Sequence, residues 1–433
     1  MRIIRADSQE FRDFSQKLRQ RGTAFTPELL GAVAQIIQDV RLGGDEALCE
    51  YTKRFDGADP AVTGLEASRD EIKEAAALLA AEDREVLELA ARRIEKYHLY
   101  QSAAGYVINE RDGVELGQKL IPLERAGIYA PGGKASYPST LLMAAIPARI
   151  AGVKEIILTS PARDGRLNPL IAAAAEIAGV SRIFKVGGAQ AIAALAYGTQ
   201  SVPRVDIIVG PGNAYVAAAK KLVFGQVAID MIAGPSEVAI IADEGAEPSF
   251  AAADLLAQAE HDEMAAAVLF TVSETLAGRV VNEINKQLTV LPKKDIIDAS
   301  LSQYGAVIIT KDLEQAMELV NLFAPEHLEL MVEDPSFWVE RVRSAGSVFL
   351  GNYTPEALGD YTAGANHILP TEGTARFSSP LGVYDFYKRM SVLSFSPQAF
   401  IRLAPPTERF ARMEGLDAHA NSIRVRRSRG NNR

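Results

Sequence analysis

The sequence is poor in cysteine and in histidine. Its 433 residues include one cysteine, Cys49, and five histidines. A single cysteine excludes an internal disulfide and any zinc or iron–sulfur site that needs several cysteines of one chain. Thiol chemistry is then open to Cys49 alone, and a metal site would have to use histidine and oxygen ligands.

The chain also lacks an excess of positive charge. Its 46 Lys and Arg residues against 55 Asp and Glu residues give a formal net charge of −9. This balance argues against general binding to nucleic acids or to anionic membranes. The C-terminal run RVRRSRGNNR is the exception, with Arg424, Arg426, Arg427, Arg429 and Arg433. A basic run can contact nucleic acid, but in an acidic chain we interpret it as a solvated terminus.

Long apolar runs are missing as well. The N-terminal sequence MRIIRADSQEFRDF is charged throughout and has no apolar core of the kind found in secretory signals. The longest uncharged stretch, between Lys185 and Arg204, contains glycine and proline, and this is typical of a turn followed by a helix of small residues. We therefore expect a soluble cytoplasmic protein that neither spans a membrane nor binds nucleic acid.

Local patterns divide the chain into four parts. Residues 1–120 show apolar positions at helical spacing and many strong helix formers, which predicts a helical region. From about residue 120, short apolar strands alternate with alanine-rich helices, a pattern typical of βαβ units around a parallel sheet. We predict one α/β domain over 121–235, a second over 236–380 and a C-terminal segment over 381–433.

Glycine-rich turns follow strands of the first predicted α/β domain. They are YAPGG (129–133), VGGAQ (186–190), VGPGN (209–213) and AGPS (233–236). Glycine permits a tight turn at a strand end, and the free N–H groups of a following helix attract a phosphate. Open parallel sheets bind ligands at this edge. One such turn is usually only a turn, but four together predict a nucleotide site with Tyr129, Gln190 and Asn213 as polar contacts.

Two histidines lie next to acids or amides in short segments. In LAQAEHDE, Gln258 and His261 are three residues apart on a predicted helix, so that both could bind one metal ion. In FAPEHLEL, Glu326 precedes His327 at a helix-to-strand junction. A histidine titrates near neutrality and can take a proton from an alcohol, while a neighbouring carboxylate can orient a water molecule. Surface or helix-end positions are the alternative interpretation of both pairs.

Two further histidines follow the same pattern. LGDYTAGANHILP carries Asp360 as a possible oxygen ligand and His367 as a possible donor to a substrate carboxylate. His419 lies in LDAHANS, shortly after Glu414. The grouping of histidines with acids predicts one nitrogen–oxygen metal site for Zn²⁺ or another first-row divalent ion. Only His98 lies outside these segments, and we interpret it as a helix-packing or surface residue.

Taken together, these motifs resemble the histidinol dehydrogenase family. The matching segments are YAPGG, VGGAQAIAALAYGT, VGPGNAYV, DMIAGPSEV, LAQAEHD, APEHLE, SAGSVFLG, GDYTAGANHILPT and the DAH near the end. The resemblance extends over about residues 30–425, and motifs of this length are specific. It implies an aldehyde-dehydrogenase-like α/β fold with two incomplete Rossmann-like parallel-sheet domains and helical terminal segments. In this fold the N-terminal region would pack with the second α/β domain.

The resemblance also implies an activity. The family oxidises L-histidinol to L-histidinal and then to L-histidine with two NAD⁺, the last steps of histidine biosynthesis, as a zinc-bound homodimer. The implied zinc ligands are Gln258, His261, Asp360 and His419. The C-terminal segment, with Glu414 and His419, would cross to the partner subunit and complete the partner's site.

The remaining site residues follow from the same resemblance. Glu326 and His327 would be the acid–base pair, and Tyr129, Gln190 and Asn213 would contact NAD⁺. The implied substrate contacts are Ser236, Gln258, His261, His327, Asp360, His367, Glu414 and His419.

The scarcity of cysteine bears on the second oxidation. Oxidation of an aldehyde through a thioester needs a positioned cysteine, and Cys49 lies in the helical N-terminal region and in no glycine-rich turn. We therefore expect His327 to take the hydroxyl proton and Glu326 to activate the water that adds to the aldehyde.

Two other classes of function fit parts of the pattern. A zinc hydrolase could use the same ligands with a glutamate base, although it would not need the glycine-rich turns. A non-catalytic NAD-binding regulator would need the turns but not Glu326, His327 and four ligand-type residues. Growth of NADH absorbance with histidinol and NAD⁺ distinguishes the dehydrogenase from both.

Overall fold

The computed structural model describes residues 1–21, 25–110, 113–131 and 137–430. These residues form two compact units. The first unit comprises Met1–Gln101 and Leu123–Phe386, and the second comprises Ser102–Pro122 and Tyr387–Arg433. Gly132 and Gly133 of the YAPGG motif and Arg433 of the basic run lie outside the described residues.

The strands, in chain order, are β1 (Arg2–Arg5), β2 (Tyr106–Glu110), β3 (Val114–Pro122), β4 (Arg125–Tyr129), β5 (Glu155–Thr159), β6 (Arg182–Phe184), β7 (Ile207–Val209), β8 (Ala228–Ile229), β9 (Glu237–Ala242), β10 (Ala266–Thr271), β11 (Gly305–Ile309), β12 (His327–Met331), β13 (Ser347–Leu350) and β14 (Tyr387–Phe395).

The α-helices are α1 (Gln9–Arg19), α2 (Pro27–Gly43), α3 (Asp45–Phe55), α4 (Pro60–Thr63), α5 (Arg69–Ala77), α6 (Ala81–Leu99), α7 (Pro138–Ala151), α8 (Pro169–Ala178), α9 (Gly188–Tyr197), α10 (Ala214–Val223), α11 (Pro248–Ala259), α12 (Glu274–Leu288), α13 (Lys294–Tyr304), α14 (Leu313–Phe323), α15 (Pro335–Val339), α16 (Glu356–Tyr361), α17 (Pro397–Met413) and α18 (Asp417–Gly430).

A six-stranded parallel sheet forms one half of the first unit. Its order is β1-β11-β10-β9-β12-β13, so that β9, first of the inner strands in the chain, lies between β10 and β12. The inner strands are continuous runs of buried residues, such as EVAIIA and AAVLFT. Strands that are covered on both faces read as unbroken apolar runs, because no face meets water.

The other half of the first unit is a five-stranded parallel sheet in the order β6-β5-β4-β7-β8. Chain order therefore reverses direction between β4 and β7, as it does between β9 and β12 of the larger sheet. This strand order is that of a Rossmann sheet without its sixth strand. The predicted α/β class with two incomplete Rossmann-like parallel sheets is confirmed.

The N-terminal region differs from the expectation. Among the described residues of this region, only β1 and α1 join the six-stranded sheet, through the parallel pairing of β1 with β11. Helix α2 packs instead on α9 and α10, which flank the five-stranded sheet. Helix α5 packs on α8, and α6 packs on α7. The predicted packing of this whole region with the second α/β domain is therefore wrong. Helical periodicity shows which face of a helix is apolar but not which sheet covers it.

The second unit is an antiparallel sheet with two helices. Its strands are in the order β14-β3-β2, and α17 and α18 pack on each other. Tyr106–Glu110 and Val114–Pro122 are thus strands, where the sequence predicted part of a helical region. The exchange of the C-terminal segment between subunits stays a prediction. No helix among the described residues is long and apolar enough to cross a membrane.

A buried ion pair holds the end of the five-stranded sheet. Lys220 of α10 pairs with Asp230, and both side chains are almost inaccessible to solvent. Lys220 also donates to the Gly210 carbonyl at 2.9 Å, while the Gly210 N–H donates to Asp230 at 2.8 Å. Gly210 has a φ of 112°, and a Cβ there would lie 2.2 Å from the Tyr129 carbonyl oxygen. The pair therefore fixes a turn that only glycine can make.

We expect Lys220→Met to destabilise the protein strongly, because it leaves the Asp230 carboxylate buried without its cation. The cost of such a change is about 3–5 kcal/mol. Urea denaturation followed by circular dichroism measures it. Lys221→Met is the matched control, since this neighbour is exposed and lies over the Phe25 ring, a contact of about 0.5–1 kcal/mol. Equal midpoints for the two variants would contradict the assignment.

Candidate active site and metal centre

The candidate catalytic pair lies where two neighbouring strands begin. His327 is the first residue of β12, Glu326 precedes it, and Glu237 begins the adjacent strand β9. Both members of the pair are buried, with 6% of Glu326 and 3% of His327 exposed. The predicted helix-to-strand junction is thus present, and it lies at the amino-terminal edge of the six-stranded sheet.

Hydrogen bonding orients the His327 ring. Its Nδ1 lies 3.2 Å from the Glu237 carbonyl oxygen, which can only accept a hydrogen bond. Nδ1 therefore carries a proton and donates it. Nε2 has no hydrogen-bond partner among the described residues and lies 3.6 Å from Asp360 Oδ1. The ring thus presents its free nitrogen toward the acidic residues of α16.

Asp360 and His367 are brought together with His327. Asp360 Oδ1 lies 3.8 Å from His367 Nδ1, and His367 Nε2 lies 3.0 Å from the Thr140 hydroxyl. Asn366 beside His367 is buried and donates to the Met143 carbonyl at 2.7 Å. Its amide also lies 3.4 Å from the ring of His98, which is buried on α6. The histidine interpreted as structural therefore packs behind the His367 segment.

Three side chains form a possible cation site. One ligand atom each from His261, Glu356 and Asp360 lie within 4.8 Å of one another. Gln258 is fully buried beside them. Its amide is oriented so that the nitrogen faces Glu356 and donates to both carboxylate oxygens, at 3.1 and 3.2 Å. The helix α11 ends at Ala259, so that His261 lies just beyond it. Imidazole, carboxylate and amide groups are the donors that Zn²⁺ and similar ions take.

Glu356 is the residue that the sequence interpretation missed. It begins α16 and lies four residues before Asp360, so that both carboxylates lie on one face of this helix. This spacing is visible in PEALGDY, but an acid at a helix start is ordinarily a surface residue. Here Glu356 is only 2% exposed, and its N–H donates to Glu329 at 2.8 Å.

The surrounding acids control the charge of His327. Burial opposes protonation of the ring, but the carboxylates of Glu356, Glu326 and Asp360 outweigh it and hold the pKa of His327 well above its usual value. Burial, together with Asp360 and Glu326, raises the pKa of Glu356 to about 8, although His327 opposes the rise. Ionising every carboxyl group of the cluster is therefore unfavourable with one imidazolium as the counter-charge, and a cation would make it easier.

Glu326 lies in a different environment. Burial is the main cause that raises the pKa of its carboxyl group, although His327, the Glu237 N–H and the Ser236 hydroxyl act in the opposite direction. Ser236 thus lies at the site through its contact with Glu326. A carboxyl group with a raised pKa is a stronger base when it is ionised, which suits proton abstraction from water.

The proposed nucleotide contacts lie at the other sheet. Tyr129 ends β4, and its buried hydroxyl accepts from the Gly188 N–H at 3.2 Å. Gln190 is 1% exposed, and its amide nitrogen has no partner among the described residues. Asn213 caps α10 by accepting from the N–H groups of Tyr215 and Val216. These residues lie at the carboxyl edge of the sheet, where the strand order reverses, and the unpaired amide suits a polar ligand.

Two predicted site residues belong to the second unit. Glu414 follows the end of α17, and His419 lies in the first turn of α18. Both are exposed. Their predicted contacts with substrate and zinc stay predictions.

Fold and site together define an α/β protein with two Rossmann-like parallel sheets and a buried Glu326–His327 pair beside a possible cation site. A family model described as histidinol dehydrogenase matches residues 19–427. This chain belongs to the histidinol dehydrogenase family.

Individual relatives agree with this assignment. The chain is 50% identical over 426 residues to a histidinol dehydrogenase of Syntrophotalea carbinolica, covering 98% of this chain and 99% of the relative. It is 51% identical over 428 residues to that of Acinetobacter baylyi, with the same coverage. A crystal structure of histidinol dehydrogenase from Elizabethkingia anophelis superposes with a TM-score of 0.93 at 39% identity, covering 100% of this chain and 99% of that one.

We expect His261→Asn and Asp360→Asn each to weaken retention of Zn²⁺ by about tenfold or more, because each would remove a candidate ligand atom of this site. Zinc content after dialysis against a graded chelator measures this effect. Glu356→Gln tests the missed residue in the same assay. Glu260→Gln is the matched control, since this acid adjoins His261 but pairs with Lys293 at 3.8 Å. If both variants retain zinc as well as the wild type does, these two residues do not bind the ion.

Proposed function

We propose that this chain catalyses the four-electron, NAD-dependent oxidation of L-histidinol to L-histidine through L-histidinal, the last steps of histidine biosynthesis. Membership of the family supports the substrate and the reaction. One structural observation supports the mechanism above all. His327 Nε2 is buried, has no hydrogen-bond partner among the described residues and lies 3.6 Å from Asp360 Oδ1.

We propose one Zn²⁺ per subunit, held by Gln258, His261, Asp360 and His419. The donor chemistry of His261 and Asp360 and the excess of acidic groups fit this ion. Glu356 is a further candidate for a residue that contacts it. When bound, a divalent ion supplies positive charge that offsets the neighbouring carboxylates and holds the substrate in place.

The first oxidation depends on His327. Its Nδ1 proton is committed to the Glu237 carbonyl, so that the neutral ring has its lone pair on Nε2. A bound cation that offsets the neighbouring carboxylates would favour this neutral ring. Nε2 takes the hydroxyl proton of the substrate as hydride leaves the carbinol carbon. His367 and Ser236 are the proposed substrate contacts beside it, and Thr140 fixes the His367 ring by a 3.0 Å hydrogen bond. NAD⁺, proposed to bind at Tyr129, Gln190 and Asn213, supplies the hydride acceptor.

The second oxidation depends on Glu326. Its carboxylate accepts a proton from a water molecule as the water oxygen adds to the aldehyde carbon. His327, which was protonated in the first oxidation, returns its proton to the carbonyl oxygen, and this gives the hydrated aldehyde and a neutral ring. His327 then takes a hydroxyl proton from this hydrate, and the second hydride leaves. The product is the carboxylic acid. Two hydrides, and therefore two NAD⁺, are consumed for each histidinol.

We also propose a homodimer in which the C-terminal segment of one chain completes the site of the other. The second unit supports this proposal because it exposes apolar side chains along its strands, among them Val107 and Leu393, which are 66% and 64% exposed. Exposed apolar patches of this kind are typical of interaction surfaces. The cytoplasmic location stays a prediction.

Glu326→Gln separates the two oxidations. The amide cannot take a proton, so we expect oxidation of histidinal to slow by about 100-fold or more while oxidation of histidinol to histidinal changes little. Stopped-flow measurement of NADH with each substrate measures both steps. His327→Asn is the comparison variant and should slow both. Equal losses in the two steps of Glu326→Gln would contradict the assigned role.

Cys49→Ala should leave the turnover number within about twofold, because the water route needs no thiol nucleophile. Cys49 lies in α3, and burial together with Asp45 and Asp59 raises the pKa of its thiol. A raised pKa keeps the sulfur protonated and unreactive. NADH production from histidinol, at two NADH per substrate, checks this expectation. A thousandfold loss in kcat would instead indicate a thioester.

A further inference from the structure

Glu237 contacts both members of the catalytic pair. Its N–H donates to Glu326 Oε2 at 3.1 Å, and its carboxylate Oε2 accepts from the Glu326 N–H at 3.3 Å. Its carbonyl oxygen accepts from His327 Nδ1 at 3.2 Å. One residue thus holds the Glu326 side chain, the backbone that carries it and the ring of the neighbouring base.

The second oxygen of Glu237 is held from another part of the chain. Arg21, which follows α1, donates through Nη2 to Glu237 Oε1 at 2.6 Å and to the Pro235 carbonyl at 3.1 Å. Both side chains are buried, with 1% of the Arg21 side chain and 3% of the Glu237 side chain exposed. Both carboxylate oxygens of Glu237 therefore accept from donors on different elements, which fixes the plane of the group.

This ion pair is an inefficient way to stabilise a fold. Removing two charges from water is costly, and well-packed apolar residues are often as stabilising as a buried pair. Arg21 also leaves its Nε and Nη1 without hydrogen-bond partners among the described residues. The pair instead fixes the position of the Glu237 carboxylate, which accepts a hydrogen bond from the Glu326 N–H.

We infer that Arg21 and Glu237 are positioning residues for the reaction. Arg21 acts on Glu326 through the Glu237 carboxylate, and the Glu237 carbonyl separately orients His327. This inference rests on the proposed function of Glu326 and His327. Neither residue is a proposed substrate contact. Without Arg21, the Glu237 carboxylate loses the donor that fixes it, and the Glu326 N–H loses a fixed acceptor.

The test uses the full-length, zinc-loaded enzyme. We expect Arg21→Met to lower kcat for histidinal oxidation by 10- to 100-fold, with KM for histidinol and zinc content within about threefold of the wild type. Arg21→Lys keeps a donor toward Glu237 and should recover much of this loss. Val280→Ala, a truncation in the core of the same sheet domain, controls for lost stability and should leave kcat unchanged. Glu237→Gln is the second variant if Arg21→Met does not fold, with the same expected split.

A double variant shows whether Arg21 acts through Glu326. If it does, Arg21→Met combined with Glu326→Gln should oxidise histidinal no more slowly than Glu326→Gln alone. Multiplied losses, or a kcat for Arg21→Met within threefold of the wild type, would overturn the inference. A Glu326→Gln variant with normal histidinal oxidation would instead overturn the proposed function of Glu326. The two failures are therefore distinct.

Discussion

The site is built around buried negative charge. Glu237, Glu326, Glu329 and Glu356 are each no more than 6% exposed, and Asp360 lies against His327. A buried carboxylate is tolerated only when a proton, a cation or several donors compensate it. Arg21 compensates the charge of Glu237. His327 compensates part of the charge of its acidic neighbours Glu356, Glu326 and Asp360. Several carboxyl groups are left without a full counter-charge, and this is the physical argument for a cation site beside His261, Glu356 and Asp360.

The two sets of candidate site residues lie at different edges of the two parallel sheets. The six-stranded sheet presents Glu326 and His327 where β12 begins, whereas the five-stranded sheet presents Tyr129 and Gly210 where β4 and β7 end. Ligands of open α/β sheets usually bind at the carboxyl edge, and the proposed nucleotide contacts follow this rule. The candidate catalytic pair does not follow this rule. It lies at a strand start because that is where the Glu237 backbone can pair with both residues at once.

The parts of the structure that were predictable depend on local pattern. Alternating strands and helices predicted both α/β domains, and family motifs selected Gln258, His261, His327 and Asp360, which the fold gathers around one point. Contacts between distant segments were not predictable. Nothing in the sequence near Arg21 shows that it reaches a carboxylate 216 residues away. Glu356 was missed for the same reason, since its burial depends on β12 and α11 and not on its own helix.

Two further buried acids, Glu329 and Asp254, lie beside the site, and the periods of a strand and of a helix place them there. Glu329 lies two residues after His327 on β12 and so points to the same face of the sheet, and Asp254 lies one helical turn before Gln258 on α11. Burial raises the pKa of Asp254 to about 6, and burial together with Asp254 raises the pKa of Glu329 well above its usual value. Glu329 in turn accepts from the N–H of Glu356 at the start of α16. The strand and the helix that carry His327 and Gln258 therefore also anchor the short helix that carries Glu356 and Asp360.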